Sequence, residues 1–325
     1  MAGTGDIEKA AGVLRAGGLV AMPTETVYGL GADVEDSAAV ARVFQVKGRP
    51  PSHPLIVHVA SAELLGDWVA DVPDTARVLA ERFWPGPLTL VLRRGSRVPL
   101  AATGGLDTVA VRVPAHPVAL ALLSAFGGAV AAPSANRFGS VSPTTADHVR
   151  AELGDAVDFV LDGGPCQVGV ESTIVDAMNE TPAILRPGGV TREDLEAALG
   201  HPVAVGSASG GVRVPGQHPS HYAPRARVVL VEPEALLAEA QLAQERGHRV
   251  GVILPPSLAD TPVKAHAVVA VPRSTAAYAR GLYGFLRELD QLGCDLVVAS
   301  LPAEDGLGLA IANRLRRAAG PRSTT

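Results

Sequence analysis

Residues 20–59, VAMPTETVYGLGADVEDSAAVARVFQVKGRPPSHPLIVHV, decide the fold predicted for this chain. An apolar run at 19–22 reads as a buried strand that breaks at Pro23, and 55–59 reads as a second strand. Between them, Asp36 or Ser37 can cap a helix that continues to about Val46 at helical spacing. A strand, a helix and a strand within forty residues are typical of an α/β protein.

The same alternation continues along the first two thirds of the chain. A short helix at 6–17 ends at two glycines, and later apolar runs alternate with amphipathic ones. Their uneven order predicts a mixed sheet instead of a purely parallel one. The further strands are predicted at 88–92, 108–113, 129–132, 159–161, 172–176 and 183–186, and the further helices at 74–82, 118–126, 145–153 and 192–199.

A change of composition near residue 200 predicts a domain boundary. The stretch GHPVAVGSASGGVRVPGQHPSHYAP at 200–224 is rich in Gly, Ser and Pro, which is typical of a linker. After it, strands and helices alternate regularly, as in a small doubly wound unit, although no GxGxxG follows its first strand. We therefore predict a first domain at 1–200, a linker at 201–225 and a smaller Rossmann-like α/β domain at 226–325.

Composition excludes several classes of protein. The 325 residues are 47% hydrophobic, enough for a sizeable core, but no apolar run approaches the roughly 20 residues of a membrane helix. The N-terminus lacks a secretory core, and two distant cysteines predict neither a disulfide framework nor a zinc site, so we expect a cytoplasmic protein. A net charge of −5 argues against a basic nucleic-acid surface. The sequence also lacks a P-loop, a GxSxG elbow, HExxH and CxxC.

The opening stretch is richer in polar chemistry than packing requires. Its hydroxyls, cations and imidazoles predict a site for an anionic small molecule, in which the cations flank phosphates. The alternative is structural: threonines in a turn, cations at a helix C-terminus and a histidine on a strand face. The residues concerned are Thr24, Thr26, Tyr28, Lys47, Arg49, His53 and His58.

Two further groups of polar residues follow predicted strands. Ser134 and Asn136 come directly after the strand at 129–132, where open α/β sheets bind ligands, and Ser142 follows them. Taken alone, these residues favour the structural alternative, an Asn/Ser turn in which Ser142 or Thr144 caps the next helix. The glycines at 163, 164 and 169 precede Ser172, and Arg186 ends a predicted strand. Such glycines allow either the close approach of a ligand to the backbone or tight turns between strands. Arg112 lies in an apolar strand, either paired or ready to bind a carboxylate.

Taken together, these motifs resemble the YrdC/Sua5 family. PTETVYGLGA, KGRP with HPLIVHV, WPGPLTLVL, GLDTVAVRVPAHP, AAPSAN, SPTTADHV, DGG, GVESTIVD and ILRPGG occur in the family's order across about residues 10–195. The family's Lys-x-Arg and Ser-x-Asn signature is Lys47, Arg49, Ser134 and Asn136. The linker's HYAP at 221–224 and the trailing α/β domain resemble the two-domain Sua5 branch, so the resemblance spans nearly the whole chain and implies a YrdC-like twisted mixed sheet for the first domain.

The resemblance implies an L-threonylcarbamoyladenylate synthase, a nucleotidyltransferase that converts L-threonine, bicarbonate and ATP to threonylcarbamoyl-AMP and pyrophosphate. The product would pass to a tRNA threonylcarbamoyltransferase for N6-threonylcarbamoyladenosine at position 37 of tRNAs that read ANN codons. The resemblance also implies a weak contact with tRNA and no association with a membrane. Mg²⁺ is expected on the ATP phosphates and not in a protein cage.

The resemblance also assigns roles to individual residues. Lys47 and Arg49 would be catalytic as well as binding ATP, with Tyr222 of the linker as part of a lid, and Arg112 would bind the threonine carboxylate. His53 stands where many relatives carry Asn. The implied ATP contacts are Lys47, Arg49, His53, Thr108, Ser134, Asn136, Ser142, Arg186 and Tyr222. The implied threonine contacts are Thr26, His58, Arg112, Ala132 and Ser172.

Two other functions fit the same fold. A concave basic face formed by Lys47, Arg49, Arg112 and Arg186 would suit a double-stranded RNA-binding module, although the net charge and 4% aromatic content disfavour it. Carbamoyl transfer to another protein, as in hydrogenase maturation, would normally bring acylphosphatase-like and zinc-finger regions. Two cysteines cannot build such a zinc finger.

Overall fold

The computed structural model describes residues 2–206, 213–216 and 221–321. The chain divides into two compact units, the first formed by Met1–Phe138 with Ser142–Gln217 and the second by Gly139–Val141 with His218–Thr325. Parts of the predicted linker, 207–212 and 217–220, lie outside the described residues. The domain bounds predicted from composition stay a prediction. In the described part of the chain, no helix is both long and apolar enough to cross a membrane.

Within its described residues, the first unit contains a ten-stranded sheet and seven α-helices. The strands are β1 Val20–Met22, β2 Gly29–Asp33, β3 Ile56–His58, β4 Leu88–Arg93, β5 Thr108–Arg112, β6 Val130–Ala131, β7 Phe159–Val160, β8 Thr173–Asp176, β9 Ala183–Arg186 and β10 Ala204–Val205. The helices are α1 Thr4–Arg15, α2 Ser37–Lys47, α3 Asp74–Phe83, α4 Leu100–Thr103, α5 Pro117–Phe126, α6 Ala146–Leu153 and α7 Arg192–Leu199.

The sheet is mixed, which confirms the predicted fold class. Its strand order is β10-β9-β8-β4-β5-β3-β6-β2-β1-β7. Strands β3 and β5 are parallel, as are β4 and β8, whereas β5 pairs with β4 and β3 pairs with β6 in antiparallel fashion. The central strands are therefore brought together from distant parts of the chain.

The two faces of the central strands carry different side chains. One face packs into the main hydrophobic core, for example through Val57 of β3 and Val111 of β5. The opposite face carries a small apolar cluster, to which Ile56 and Ala110 belong. Because side chains alternate along a strand, the residues two positions after Ile56 and Ala110 share this second face. They are His58 and Arg112.

Strand β2 was not predicted from the sequence, because its two glycines have low strand propensity. A Cβ on Gly31 would lie 2.8 Å from Val130 Cγ1 and 3.2 Å from Val20 O, and a Cβ on Gly29 would lie 3.1 Å from Ala132 Cβ. Glycine weakens a strand by itself but allows neighbouring groups to approach closely. The segment is a strand because β1 and β6 hold it on both sides.

The second unit is a four-stranded parallel sheet with helices. Its strands are β11 Arg227–Leu230, β12 Val250–Leu254, β13 Ala267–Ala270 and β14 Leu296–Ala299, in the order β11-β14-β12-β13. Its helices are α8 Leu236–Glu245, α9 Thr275–Gln291 and α10 Gly308–Ala318. All three strand pairs are parallel, which confirms the small doubly wound unit.

The close approach at Gly31 leads to a stability prediction. Gly31→Ala should lower the free energy of unfolding of the first unit by about 1–3 kcal/mol, since the new methyl group overpacks against Val130. Both tryptophans, Trp68 and Trp84, are buried in this unit, so their fluorescence during urea unfolding measures its stability. Gly66→Ala is the matched control, because a Cβ there meets nothing within 4 Å. Equal midpoints for both variants would contradict the strand-contact explanation.

Candidate active site

A row of polar side chains crosses the second face of the sheet in the first unit. His58 of β3 lies beside Arg112 of β5 in the parallel register. Leu90 lies opposite Val111, which places Thr89 of β4 opposite Arg112. Ser172 directly precedes β8, and its hydroxyl lies 2.7 Å from the Thr89 hydroxyl. The row is buried, with Arg112 and His58 each 3% exposed.

Arg112 is held by an ion pair with Glu25. Its Nη2 lies 2.5 Å from Glu25 Oε1, and Nη1 donates to Thr26 Oγ1 at 2.9 Å. Its Nε donates to the carbonyl of Gly86 at 3.2 Å. A guanidinium has five N–H donors. These three bonds leave two donors of Arg112 without a partner among the described residues.

Glu25 is in turn fixed by the backbone. Its Oε2 accepts the N–H of Ala115 at 3.1 Å, and its side chain is 8% exposed. Beside it, the Thr24 hydroxyl lies 2.8 Å from the Thr26 hydroxyl and donates to the Val27 carbonyl at 2.6 Å. The Pro-Thr-Glu-Thr turn therefore sets the position of both Thr26 and Arg112.

Arg186 lies at the other end of the polar row. Its Nη2 donates to Ser172 O at 2.8 Å and to Ser172 Oγ at 3.1 Å, and its Nη1 donates to the Pro215 carbonyl at 3.2 Å. Since Arg186 ends β9 and Ser172 precedes β8, the antiparallel pairing of these strands brings the two residues together. The structure thus joins one predicted ATP contact to one predicted threonine contact.

Lys47 forms a second group with the turn after β6. Its Nζ donates to the carbonyls of Ser134 and Asn136, each at 2.5 Å, and lies 3.4 Å from Asn136 Oδ1. Burial, followed by the positive charge of Arg49, holds the pKa of Lys47 well below its usual range. An anion beside Lys47 would favour its charged form and oppose both effects.

Arg49 and His53 meet at the Phe138 ring. The Arg49 guanidinium lies 5.8 Å from the ring centroid and donates to the Pro54 carbonyl at 2.9 Å. The His53 ring is 5.4 Å from that of Phe138 in an edge-on arrangement. His53 is half-buried. Arg49 and Lys47 are both buried, so the two cations of the Lys-x-Arg motif are removed from bulk water.

The other predicted ligand contacts in the first unit lie outside the groups around Arg112, Arg186 and Lys47. The buried Ser142 hydroxyl donates to Glu171 Oε1 at 2.6 Å. The N–H of Ala132 donates to the Ile56 carbonyl at 2.9 Å. Thr108 begins β5 on the face that carries Arg112, about 13 Å away at the usual strand rise.

Tyr222 belongs to the second unit, and its neighbours there are aromatic and cationic side chains. It has a φ of 60°, in the left-handed region, and its ring stacks on that of Tyr283 at 5.8 Å. The guanidinium of Arg314 lies 5.0 Å from the Tyr222 centroid. Tyr222 is thus tightly packed, and its predicted contact with ATP stays a prediction.

His58 is an uncharged histidine at neutral pH. Burial, with a second contribution from Arg112, lowers its pKa to about 3. Its Nδ1 is buried and has no hydrogen-bond partner among the described residues. A buried ring nitrogen without a partner is costly unless a ligand supplies one. His58 therefore offers one hydrogen-bonding position at the Arg112 end of the row.

Sequence reasoning did not assign a role to three residues of this site. Glu25 and Glu171 stand inside motifs that the sequence displays, but each looks like an ordinary turn carboxylate until its partner is known. Thr89 lies in an apolar strand, where one threonine is unremarkable. The signal that could have found Glu25 is its place between two threonines after a buried strand. No group of three or more His, Cys, Asp or Glu in the described residues is arranged to hold a metal ion.

Comparison with known proteins agrees with this architecture. Residues 12–188 match the Sua5_yciO_yrdC family model, described as "Telomere recombination", and residues 190–320 match Sua5_C, described as "Threonylcarbamoyl-AMP synthase, C-terminal domain". The chain is a two-domain member of the Sua5/YciO/YrdC family, which confirms the predicted resemblance.

Individual relatives match over nearly the whole chain. A protein of Pyrococcus abyssi named threonylcarbamoyl-AMP synthase is 45% identical over 97% of this chain and 94% of its own length. A protein of the same name from Bacillus subtilis is 42% identical over 97% and 93%. The crystal structure of P. abyssi Sua5 complexed with L-threonine superposes with a TM-score of 0.92, at 42% identity, over 98% of this chain and 95% of that one.

The buried neutral His58 predicts a particular acid sensitivity. Its pKa is about 3 in the folded protein but near 6.5 when unfolded, so below pH 6.5 the unfolded chain binds a proton that the folded one does not. This group alone should remove about 2 kcal/mol of stability between pH 7 and pH 5. Urea unfolding of His58→Gln, followed by tryptophan fluorescence, should show a pH dependence smaller by that amount. An unchanged dependence would mean that His58 titrates normally.

Proposed function

We propose that this chain is an L-threonylcarbamoyladenylate synthase, which forms threonylcarbamoyl-AMP and pyrophosphate from L-threonine, bicarbonate and ATP. The observation that carries the proposal is the polar row. One end of the row has an arginine with unused donors and a histidine whose Nδ1 lacks a partner among the described residues, and further buried cations lie elsewhere in the unit. The name of the near-full-length relatives supports the same activity.

Arg112 and His58 suit the amino acid. The two unused donors of Arg112 would bind the threonine carboxylate, which a planar guanidinium recognises well. Glu25 and Thr26 hold the guanidinium in place, so little entropy is lost when the ligand binds. His58 Nδ1 would bond the threonine hydroxyl, with Thr26, Ser172 and the backbone at Ala132 around the same ligand.

The other cations suit the polyphosphate. Lys47 is aimed by two backbone carbonyls, and Arg49 is removed from bulk water beside Phe138. Cations in a dry site act on phosphate charge far more strongly than they would in water. The further ATP contacts in this proposal are His53, Thr108, Ser134, Asn136, Ser142 and Arg186. Mg²⁺ would enter with the ATP phosphates, because it usually keeps several waters and few protein ligands.

The reaction needs placement and charge more than a protein nucleophile. The threonine amine reacts with bicarbonate to form a carbamate and water. A carbamate oxygen then attacks the α-phosphorus, and the bond to the β-phosphate oxygen breaks to release pyrophosphate. Arg112 would fix the amine near the phosphates, while Lys47 and Arg49 would stabilise the developing negative charge. A dry site also protects the short-lived carbamate from bulk water.

The fate of the product is part of this proposal. Threonylcarbamoyl-AMP is a mixed anhydride, so it can donate its acyl group to an amine. A tRNA threonylcarbamoyltransferase would use it on position 37 of tRNA, and a weak tRNA contact of this chain belongs to the same proposal. Tyr222, placed in the second unit, would contribute to ATP binding as part of the linker.

The activity itself is tested with purified protein, ATP, Mg²⁺, bicarbonate and labelled threonine. We expect pyrophosphate release that depends on threonine and a labelled adenylate that comigrates with threonylcarbamoyl-AMP. Pyrophosphate release without threonine, or no labelled adenylate, would contradict the proposal. Tight salt-dependent binding of double-stranded RNA in place of the reaction would favour the RNA-binding alternative.

Removal of either cation of the Lys-x-Arg motif should reduce turnover. Lys47→Ala or Arg49→Ala should each lower kcat by on the order of 10²-fold or more, since each removes charge directed at the phosphates. Lys264→Ala is the control for Lys47→Ala, because this lysine is exposed in the second unit. Pyrophosphate release measures kcat, and circular dichroism checks the fold. Near-normal turnover in Lys47→Ala would refute its role.

Selectivity among amino acids tests the threonine end of the site. Threonine should exceed serine only modestly in kcat/KM, because one methyl group is worth about 1–3 kcal/mol in a pocket. Valine should be a much poorer substrate than either, since it would leave His58 Nδ1 without a partner. Competition assays with pairs of amino acids give these ratios directly. Comparable use of valine would contradict a pocket that reads the hydroxyl.

A further inference from the structure

The second unit contains a cavity that the proposed reaction does not use. Its volume is about 210 Å³, and residues that follow three of the four strands form its wall. Pro255 follows β12, Val271 follows β13, and Ser300 follows β14, while Thr275 and Tyr278 come from the first turns of α9. We call this the edge cavity, because it lies at the carboxyl edge of the parallel sheet.

The position of the edge cavity is the one that open α/β sheets use for ligands. Strands β12 and β14 are neighbours, but the chain leaves them in opposite directions. From β12 it goes outward to β13, and from β14 it goes to α10, which packs on β11 at the other side. Diverging connections open a crevice between two adjacent strand ends, and ligands of such sheets bind there.

Two largely buried side chains of the cavity wall carry hydroxyl groups. Ser300 and Tyr278 are each 6% exposed. Neither side chain has a hydrogen-bond partner in the part of the chain that the structure describes, and both line the edge cavity. Neither hydroxyl oxygen is among the sealed, unpartnered atoms of the described residues, so both are accessible and a ligand in the cavity can bond with them.

The mouth of the cavity is positively polarised. The 17-residue helix α9 begins at Thr275, and its N-cap Ser274 accepts only the N–H of Ala277, at 3.4 Å. The first N–H groups of a helix have no carbonyl partner within it, and the helix dipole favours an anion there. Arg273 is exposed beside this helix end, and no carboxylate of the described residues pairs with it.

The rest of the wall is apolar, which limits the ligand further. Ile253, Val271 and Leu301 line the cavity with four prolines at 255, 256, 272 and 302. The volume equals about seven waters at roughly 30 Å³ each. It therefore suits a short branched hydrocarbon and a single anionic group, not a dinucleotide.

We propose that the edge cavity binds a small anion that joins one oxyanion head, a carboxylate or a phosphate, to a short apolar body. The head lies against Arg273 and the first N–H groups of α9. The body fills the apolar wall, and an ester or hydroxyl oxygen meets Ser300 and Tyr278. The second unit then binds a ligand of its own, through residues that take no part in the proposed reaction.

The test is a titration of the full chain, uniformly labelled with ¹⁵N, in low-chloride buffer. The probes are 3-hydroxyisobutyrate and isobutyl phosphate, which differ in the head and each carry a hydroxyl or ester oxygen, and isobutanol, which lacks the charge. We expect saturable shifts of the Thr275, Ala276 and Ser300 amide signals with at least one anion, and at least about tenfold weaker binding of isobutanol. The anion that binds more tightly identifies the head as carboxylate or phosphate.

Three variants decide whether binding occurs at the edge cavity. Arg273→Ala should weaken binding of the better anion by about tenfold or more, and Ser300→Ala by about threefold or more. Arg246→Ala is the matched control, because this exposed arginine ends α8 just before β12 begins, at the opposite edge of the sheet. The absence of saturable shifts with either anion, equal binding of isobutanol, or wild-type affinity in both Arg273→Ala and Ser300→Ala would each overturn the proposal.

Discussion

The buried ion pair between Arg112 and Glu25 is the constraint on which the candidate site depends. It joins a strand in the middle of the sheet to the turn after β1, with Nη2 and Oε1 2.5 Å apart and both side chains almost fully removed from water. A buried pair of this kind gains little net stability, because desolvation offsets the attraction. Removing one partner, however, leaves an uncompensated charge and costs about 3–5 kcal/mol. The pair therefore fixes geometry more than it stabilises the fold.

That geometry explains how the chain keeps several buried cations beside an apolar core. Arg112, Arg186 and Lys47 each donate to backbone carbonyls as well as to side chains. Carbonyl oxygens satisfy donors without neutralising the charge, whereas the Glu25 carboxylate balances the charge of Arg112. Burial, followed by the positive charge of Arg49, lowers the pKa of Lys47.

The regular elements of the fold could be predicted from sequence, because they depend on local patterns. Helix α2 has Asp36 as its cap and Gly48 in the left-handed conformation at its end, and both signals are visible in the sequence. Strand β2 could not be predicted, because its Gly-Leu-Gly pattern has low strand propensity and its neighbours alone hold it in place. Local propensity gives way there to close packing.

The sequence by itself determined the fold class, the family and the residue types of the site, because ordered motifs and hydrophobic periodicity are local properties. Only the tertiary structure decided which partners those residues have. Glu25 meets Arg112 across 87 positions of sequence, and Ser142 meets Glu171 across 29. Such pairs follow from strand order and register, which bring together the ends of strands that are distant in the chain. The edge cavity arises in the same way, since residues after three separate strands form it only when β12, β13 and β14 lie side by side.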